Sequence, residues 1–338
     1  MTNQKTSMGE HTSRQKFNLL DIFSRFREVG IIVFILILVV AVTLRAPSFL
    51  TINNLTDILM NISILIIVAM AQTMVILTKG IDLSVSSIIG LVAMMVGFTL
   101  SVNTGMPDLL AVLLGIALGA ILGAFNGLII TVGNVPPIIA TLGTLSIYRG
   151  LVFFYSQGTW INAFELPQSV KLLSKGQPLG IPNLVIIAVL IAALTYFFLK
   201  FTRTGRNIYA VGSNPDAAEF AGIRPQRIIF LVYVLSGLIA GLAGVLWLSR
   251  FESAQTNSAL GFELQTVTAA VVGGVSTSGG VGTIPGVLLG ALLLGIIQNS
   301  LTLIRISPFW QLAAQGLLII IAVISDKLIS KRIVRTNK

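Results

Sequence analysis

Long apolar runs recur along the 338-residue chain, from Ile31 to Ile324. A run of about 18 or more apolar residues is long enough to cross the hydrocarbon core of a bilayer as a helix. Only 10% of the residues are charged, against about 25% in soluble domains. Backbone inside lipid must satisfy its own hydrogen bonds, so each run is expected to be helical. The sequence therefore predicts an all-α, polytopic membrane protein with one membrane domain.

The apolar runs predict about ten transmembrane helices within residues 29–326. Their approximate bounds are 29–44, 55–78, 84–102, 109–132, 136–155, 183–200, 228–249, 264–276, 283–304 and 309–325. The eighth is short and runs into glycines, which is typical of a broken or re-entrant helix. Residues 1–28 form a polar tail in which 16–28 has the pattern of an interfacial helix, or of a plain juxtamembrane stretch. Residues 327–338 form a basic tail.

The distribution of Lys and Arg predicts the orientation. If both termini are cytoplasmic, 16 basic residues lie in the tails and inner loops and 5 lie outside. Membrane proteins keep an excess of basic residues on the cytoplasmic side. The net charge of +10 is explained in this way and does not indicate nucleic acid as a partner.

Composition also excludes several kinds of chemistry. The chain has no cysteine, and its only histidine, His11, lies in the N-terminal tail, so we predict no metal site and no catalytic thiol or imidazole. No Gly-Lys dipeptide occurs, which excludes a Walker A motif. The glycine-rich stretch 273–286 lacks the G-x-G-x-x-G spacing of a dinucleotide loop. We expect it to form a turn in or near the membrane, packed against protein.

A short polar segment, VGSNPDAAEFAGIRPQ (211–226), interrupts the apolar pattern. Asn214 or Ser213 can cap a helix, Pro215 suits its first position and Gly222 suits its end. This segment lies in the predicted cytoplasmic loop 201–227. Lipid does not require a helix there, whereas a protein partner on the cytoplasmic face could. We therefore interpret the helix as a protein contact surface.

Two glycine-containing motifs have structural interpretations. Four glycines recur at intervals of four in the fourth span and predict close helix packing; the alternative is a channel lining. They are Gly115, Gly119, Gly123 and Gly127. In TKGIDLSVSS (78–87), Gly80 can end the second span, and Asp82 or Ser84 can cap the third. The alternative role of Asp82 is coupling or gating.

Neutral hydrogen-bonding side chains outnumber ionisable ones within the spans. The candidates for a translocation path are Asn61, Gln72, Asn126, Gln298 and Asn299. Such groups suit an uncharged polyol, and they equally suit hydrogen bonds between helices. Ion- or proton-coupled pathways usually carry ionisable residues at this depth.

Five segments in order resemble the permease subunits of ABC importers for monosaccharides, of the ribose, rhamnose and autoinducer-2 type. They are FLTINNLTDIL (49–59), ILTKGIDLSVSS (76–87), IATLGTLSIYRG (139–150), GRNIYAVGSNPDAAEFAGI (205–223) and VVGGVSTSGGVGTIPGVLLGALLLG (271–295). The resemblance covers roughly residues 30–326. It implies a multi-pass protein of the bacterial inner membrane that imports a sugar or sugar-like solute.

The resemblance also implies the partners. A separate ATPase subunit would bind and hydrolyse ATP, so this chain would hold no cofactor. A second permease chain, identical or homologous, and an extracytoplasmic binding protein would complete the importer. The ATPase would contact the coupling helix. The residues implied are Asn214, Ala217, Ala218, Glu219 and Gly222. The competing hypothesis, a stand-alone secondary transporter of a neutral polar solute, rests on the broken-helix composition at 273–286.

Overall fold

In a computed structural model, the described residues are 27–178 and 180–307, with isolated positions between 310 and 324. The predicted interfacial helix at 16–28 falls almost entirely outside them, and so does the basic tail at 327–338. Of the predicted tenth span at 309–325, only scattered residues are described. These three predictions therefore stay predictions.

The described ranges are dominated by α-helices. In chain order they are α1 (Arg27–Arg45), α2 (Ile52–Leu77), α3 (Val85–Val102), α4 (Asp108–Thr131), α5 (Pro137–Ser156), α6 (Gln168–Lys175), α7 (Asn183–Phe201), α8 (Arg203–Ser213), α9 (Pro215–Phe220), α10 (Pro225–Phe251), α11 (Phe262–Val272) and α12 (Ile284–Leu303). The only strand-like pairing in these ranges is an isolated antiparallel bridge between Ile161 and Ala254. The all-α prediction is confirmed.

Eight of these helices are long and apolar enough to cross a membrane, and they match the first seven predicted spans and the ninth. The eighth prediction corresponds to α11, whose 11 residues are too few to cross a core about 30 Å thick. An irregular segment, 252–261, precedes α11 and packs against α5. There Nη1 of Arg149 donates to the carbonyl oxygens of Thr256, at 3.1 Å, and Ser258, at 2.9 Å. The surrounding protein thus provides hydrogen-bond partners for the non-helical backbone of this segment.

Two short helices were not predicted from the sequence. α6 lies in the connection between α5 and α7, and α8 lies directly before the predicted capped helix. The hydroxyl of Thr202 caps α8 by accepting from Gly205 N at 3.0 Å. Helices of 8 and 11 residues are marginal alone in water, so packing against the bundle stabilises them more than local sequence does.

The core of the bundle is formed by α2, α3 and α10. Ile67 to Ala71 on α2 are all fully buried, which fits a helix that is apolar on every side. α1 lies at the edge and packs on α12 through a separate apolar cluster that includes Ile35, Phe49 and Leu293. Because α2 is central in the bundle, its C-terminal residue, Leu77, contacts several other segments.

The glycine strip of α4 lies directly against α10. A Cβ on Gly119 would overlap the carbonyl oxygen of Gly237 and lie 2.6 Å from Cα of Gly241. A Cβ on Gly123 would lie 2.8 Å from Cα of Gly237, and one on Gly115 would overlap the side chain of Val245. A Cβ on Gly127 would lie 2.8 Å from the ring of Phe230. The order of these contacts along the two helices is opposite, so α4 and α10 pack antiparallel, backbone on backbone.

Candidate coupling surface and the buried contacts beneath it

The predicted capped helix is present as α9. Oδ1 of Asn214 accepts from Ala217 N at 3.1 Å, and Pro215 occupies the first helical position. Gly222 follows the helix with φ +80°, a left-handed conformation that glycine adopts without strain. Its N–H donates to the carbonyl of Glu219 at 2.9 Å. The start and stop signals of the sequence therefore act as predicted, with Asn214 as the cap.

Four of the five predicted contact residues lie on the exposed side of α9. Asn214, Ala217, Glu219 and Gly222 are exposed. Ala218 differs, because it is only 4% exposed and faces the bundle. It supports the helix from beneath and does not lie on the outer surface of the chain.

Phe220 is the surface residue that the sequence interpretation missed. Its side chain is 94% exposed, at the end of a helix of six residues. A large aromatic ring in water carries an unfavourable hydration free energy that a partner can relieve. The available signal was its position in PDAAEF, where it is the only bulky apolar residue. We call Asn214, Ala217, Glu219, Phe220 and Gly222 the coupling surface.

Directly before the coupling surface, the end of α8 contacts the end of α2 and the glycine-rich loop. Gly280 N donates to the carbonyl oxygen of Leu77 at 3.0 Å. A Cβ on Gly212 would overlap that same oxygen, and one on Gly279 would lie 2.8 Å from the carbonyl oxygen of Gly212. A Cβ on Gly280 would lie 2.7 Å from Ser213 N. We call Leu77, Gly212, Ser213, Gly279 and Gly280 the glycine junction. It joins three segments by close backbone contact, and the Lys79 side chain lies beside it.

The loop after α2 differs from its prediction. Gly80 was expected to end the helix, but the left-handed residue is Lys79, with φ +65°. Gly80 is buried instead, and a Cβ there would lie 2.6 Å from the Tyr233 hydroxyl. Nζ of Lys79 donates to the carbonyl of Ser213 at 3.4 Å, so its charge faces the end of α8 as well as that of α2. Contact between distant segments, not local turn preference, determines these positions.

Asp82 is fully buried and accepts hydrogen bonds from two helices. Its Oδ1 accepts from the N–H of Ser84 at 3.0 Å and from the Ser84 hydroxyl at 2.7 Å. Its Oδ2 accepts from the hydroxyl of Ser236 on α10 at 2.9 Å. Ser84 precedes α3 but makes no side-chain cap bond. Of the two predicted caps, Ser84 makes no such bond, whereas Asp82 accepts the Ser84 N–H at the start of α3 and also links α3 to α10.

Two of the predicted path residues join this network. Nδ2 of Asn126 donates to the Ser84 hydroxyl at 2.7 Å, and the Tyr148 hydroxyl lies 3.2 Å from Oδ1 of Asn126. The amide of Gln72, oriented to satisfy both its ends, pairs with the backbone N–H and C=O of Asp82 at 3.1 Å each. Both side chains are fully buried. Within this chain they connect helices around Asp82.

The remaining path candidates lie elsewhere. Asn299 exchanges amide hydrogen bonds of 2.9 and 3.1 Å with Asn54. This pair links α12 to α2. Gln298 is half-buried and Asn61 is exposed. Asn126 and Gln72 thus lie around Asp82, whereas Asn299 lies at the contact between α12 and α2, and the role of all five residues in translocation stays a prediction.

Comparison with known proteins identifies the family. A family model described as a branched-chain amino acid transport system / permease component matches residues 54–323. The chain belongs to this family of transport permeases. Membership of this family, together with the apolar helices of the chain, identifies this permease as a multi-pass protein of the inner membrane. In this permease the coupling surface follows α8, and the family match covers both.

Curated relatives cover almost the full length of the permease. The ribose import permease protein RbsC of Bacillus subtilis is 40% identical over 302 residues, covering 89% of this chain and 93% of that protein. RbsC of Escherichia coli K12 is 38% identical over 294 residues, covering 86% and 91%. The fructose import permease protein FrcC of Rhizobium meliloti is 37% identical over 310 residues, covering 90% and 86%. These relatives confirm the resemblance to sugar importer permeases. No solved structure matches.

Proposed function

We propose that this permease forms the membrane pathway of an ATP-driven importer for a monosaccharide. The names of its relatives, which import ribose and fructose, support a sugar of that class. The scarcity of ionisable side chains in the spans is consistent with a neutral, hydroxyl-rich solute. ATP would be hydrolysed by a separate subunit, and an extracytoplasmic binding protein would deliver the sugar.

One observation carries the assignment of the ATPase contact. A capped six-residue helix presents Phe220 at 94% exposure, and the chain just before it is held against the end of α2 by backbone contact. A partner that covers Phe220 would therefore act on a surface that is rigidly connected to the bundle. When ATP closes the two ATPase subunits, displacement of α9 would move α8, and with it Leu77 and the loop at 279–280. A second permease chain would complete the pathway.

The contact is tested by replacing Phe220 with alanine. The permease is co-expressed with its candidate ATPase and binding-protein partners. We expect F220A to lose most ATPase co-purification and sugar uptake while it still inserts in the membrane, because hot-spot aromatics carry much of an interface's free energy. Phe164→Ala is the matched control, since Phe164 is 86% exposed on the opposite side of the predicted topology. Equal ATPase recovery with both variants would reject the coupling surface.

Orientation is tested with the same two positions. The chain has no cysteine, so Phe220→Cys and Phe164→Cys each introduce a single thiol. We expect an impermeant maleimide to label the second variant in intact cells, and the first only after permeabilisation. The reverse pattern would place the coupling surface outside and remove the proposed energy source.

Uptake in liposomes distinguishes the proposal from a stand-alone secondary transporter. Uptake by permease, ATPase and binding protein together should require internal ATP. Uptake by the permease alone, driven by an ion gradient, would contradict the proposal.

A further inference from the structure

A continuous groove lies on the side of the bundle between α7 and the start of α12. Its apolar part is a cavity of about 320 Å³ lined by side chains that include Ile66, Ala188, Ala192 and Leu288. Its polar part is a cavity of about 570 Å³ lined by residues that include Lys200 and Arg206. Tyr196, Ile284 and Pro285 line both parts. The two cavities therefore form one surface that changes from apolar to cationic.

The length of the groove matches one leaflet of a bilayer. Ala188 and Lys200 both lie on α7. Their separation of twelve positions corresponds to about 18 Å along a helix that rises about 1.5 Å per residue. Half of a hydrocarbon core about 30 Å thick is about 15 Å. The apolar part can thus follow an acyl chain while the cations stay at the depth of the head groups.

Small side chains leave the apolar part open. Ala188, Ala192 and Ala193 contribute methyl groups to one wall, and larger residues at the buried positions 188 and 192 would fill the space, whereas Ala193 is exposed. The opposite wall is formed by α12, beginning at Ile284 and Pro285. A concave site with aliphatic walls gains more contact with a chain lying in it than a flat helix surface does.

The polar part carries a net positive charge. Lys200 and Arg206 are exposed, and Nζ of Lys200 donates to the Tyr196 hydroxyl at 2.6 Å. Glu28 also lines this part, and its Oε1 accepts from the Thr283 hydroxyl at 2.7 Å. Among the described lining residues, two cations and one carboxylate leave a single positive charge. A phosphodiester, with one negative charge, complements it.

We propose that this groove, hereafter the phospholipid groove, binds an anionic glycerophospholipid of the inner leaflet. The acyl chain lies along Ala188–Ala193 and Leu288, and the phosphate lies between Lys200 and Arg206. Basic sites between transmembrane helices on the cytoplasmic side are suited to such head groups. The proposal concerns the lipid around the permease and does not depend on which solute is transported.

Lipid preference at the groove can be measured by fluorescence quenching in bilayers. Ala193→Cys carries a single fluorophore, and the protein is reconstituted with brominated phosphatidylglycerol or brominated phosphatidylcholine. We expect phosphatidylglycerol to quench at severalfold lower mole fraction. Ala117→Cys on α4, an exposed alanine away from the groove, should show no preference. Equal quenching by both lipids at position 193 would overturn the proposal.

Charge variants test the head-group contact. In the labelled Ala193→Cys protein, Lys200→Gln and Arg206→Gln should each reduce the phosphatidylglycerol preference about fivefold, because each loses its direct charge-assisted contact with the anionic head group. Arg203→Gln removes the same charge from an exposed residue on α8 that is not among the groove's lining residues. It should change the preference less than twofold. Equal losses for Arg203→Gln and Arg206→Gln would indicate general attraction and contradict a built site.

The chain's own N-terminal segment is the alternative occupant, because it leads directly to Glu28. Ala193→Cys combined with Leu20→Cys tests this under mild oxidation. We expect no disulfide. Efficient disulfide formation in the bilayer would show that residues 1–26 cover the groove, and the lipid assignment would be wrong.

Discussion

At the predicted cytoplasmic end of the bundle, backbone packs closely on backbone, whereas at the opposite end, side-chain contacts act beside the backbone bridge between Ile161 and Ala254. The glycine junction joins α2, α8 and the loop at 279–280 with atoms that have no rotamers. At the opposite end, Ser249 forms a hydrogen bond with α6 and Glu252 forms ion pairs with two lysines. We call these the outer contacts. Exposed side-chain contacts such as those of Glu252 can be exchanged for water at modest cost, and close backbone contacts cannot. The difference indicates that the inner end moves as a unit and the outer end can adjust.

Gly212→Ala should give the largest effect at the inner end. Its Cβ would overlap the carbonyl oxygen of Leu77, so the backbone must separate, at a cost of about 3 kcal/mol or more. Thermal unfolding in detergent would show a large loss of stability, with loss of ATP-dependent uptake.

Gly143→Ala is the control for Gly212→Ala. A Cβ at Gly143 meets nothing within 4 Å. An alanine in a helix interior is favoured over glycine by about 0.5–1 kcal/mol, so this variant should be neutral or slightly more stable. Equal behaviour of the two variants would contradict the close approach at the glycine junction.

Asp82→Ala should be the next most damaging change. It removes the acceptor of Ser84 N and of the Ser84 and Ser236 hydroxyls, and each buried donor left unsatisfied costs about 1–3 kcal/mol. Asp82→Asn keeps the volume and an acceptor, so it should lose less. Stability that is unchanged in Asp82→Ala would show that this network does not hold α3 to α10.

Ser249→Ala tests the outer contacts. The Ser249 hydroxyl donates to the carbonyl of Val170 at 2.6 Å and accepts from Ser174 N at 3.0 Å. Its loss leaves a buried N–H without this partner, at about 1–3 kcal/mol, and α6 should become more accessible to protease. We expect uptake to fall far less than in Gly212→Ala, and the opposite ranking would reverse the comparison between the two ends.

Glu252→Gln should have the smallest effect. The hydrogen bond from Lys175, and the charges of Lys175 and Lys171, hold the pKa of Glu252 below its usual range. The stabilisation is therefore present above the ordinary carboxyl pKa and is lost as pH falls through the lowered folded-state value. Exposed ion pairs contribute less than about 1 kcal/mol. The difference in melting temperature between wild type and Glu252→Gln should be small at pH 7 and in low salt, and should vanish in acid.

Local signals in the sequence predicted much of the fold. Apolar run length predicted the spans, and the cap at Asn214 with the stop at Gly222 predicted α9. The glycine spacing in α4 predicted the close packing that the structure places against α10. These features depend on neighbours within a few residues, so one chain's sequence contains the information.

Contacts between distant segments could not be predicted in this way. Nothing near Gly80 indicates that Tyr233 lies against it, and nothing near Asn126 indicates Ser84. Phe220 was missed because its exposure depends on how α9 sits on the bundle. The groove between α7 and α12 similarly needs both walls to be placed before its cavity appears.

The close approach at Gly212 has a thermal consequence. Side-chain contacts weaken as temperature populates more rotamers, but carbonyl and Cα atoms have no such states to populate. The spacing between α8 and Leu77 should therefore change little between a cold membrane and a warm one. Motion started at α9 would reach the end of α2 at Leu77 with the same amplitude across the range of growth temperatures.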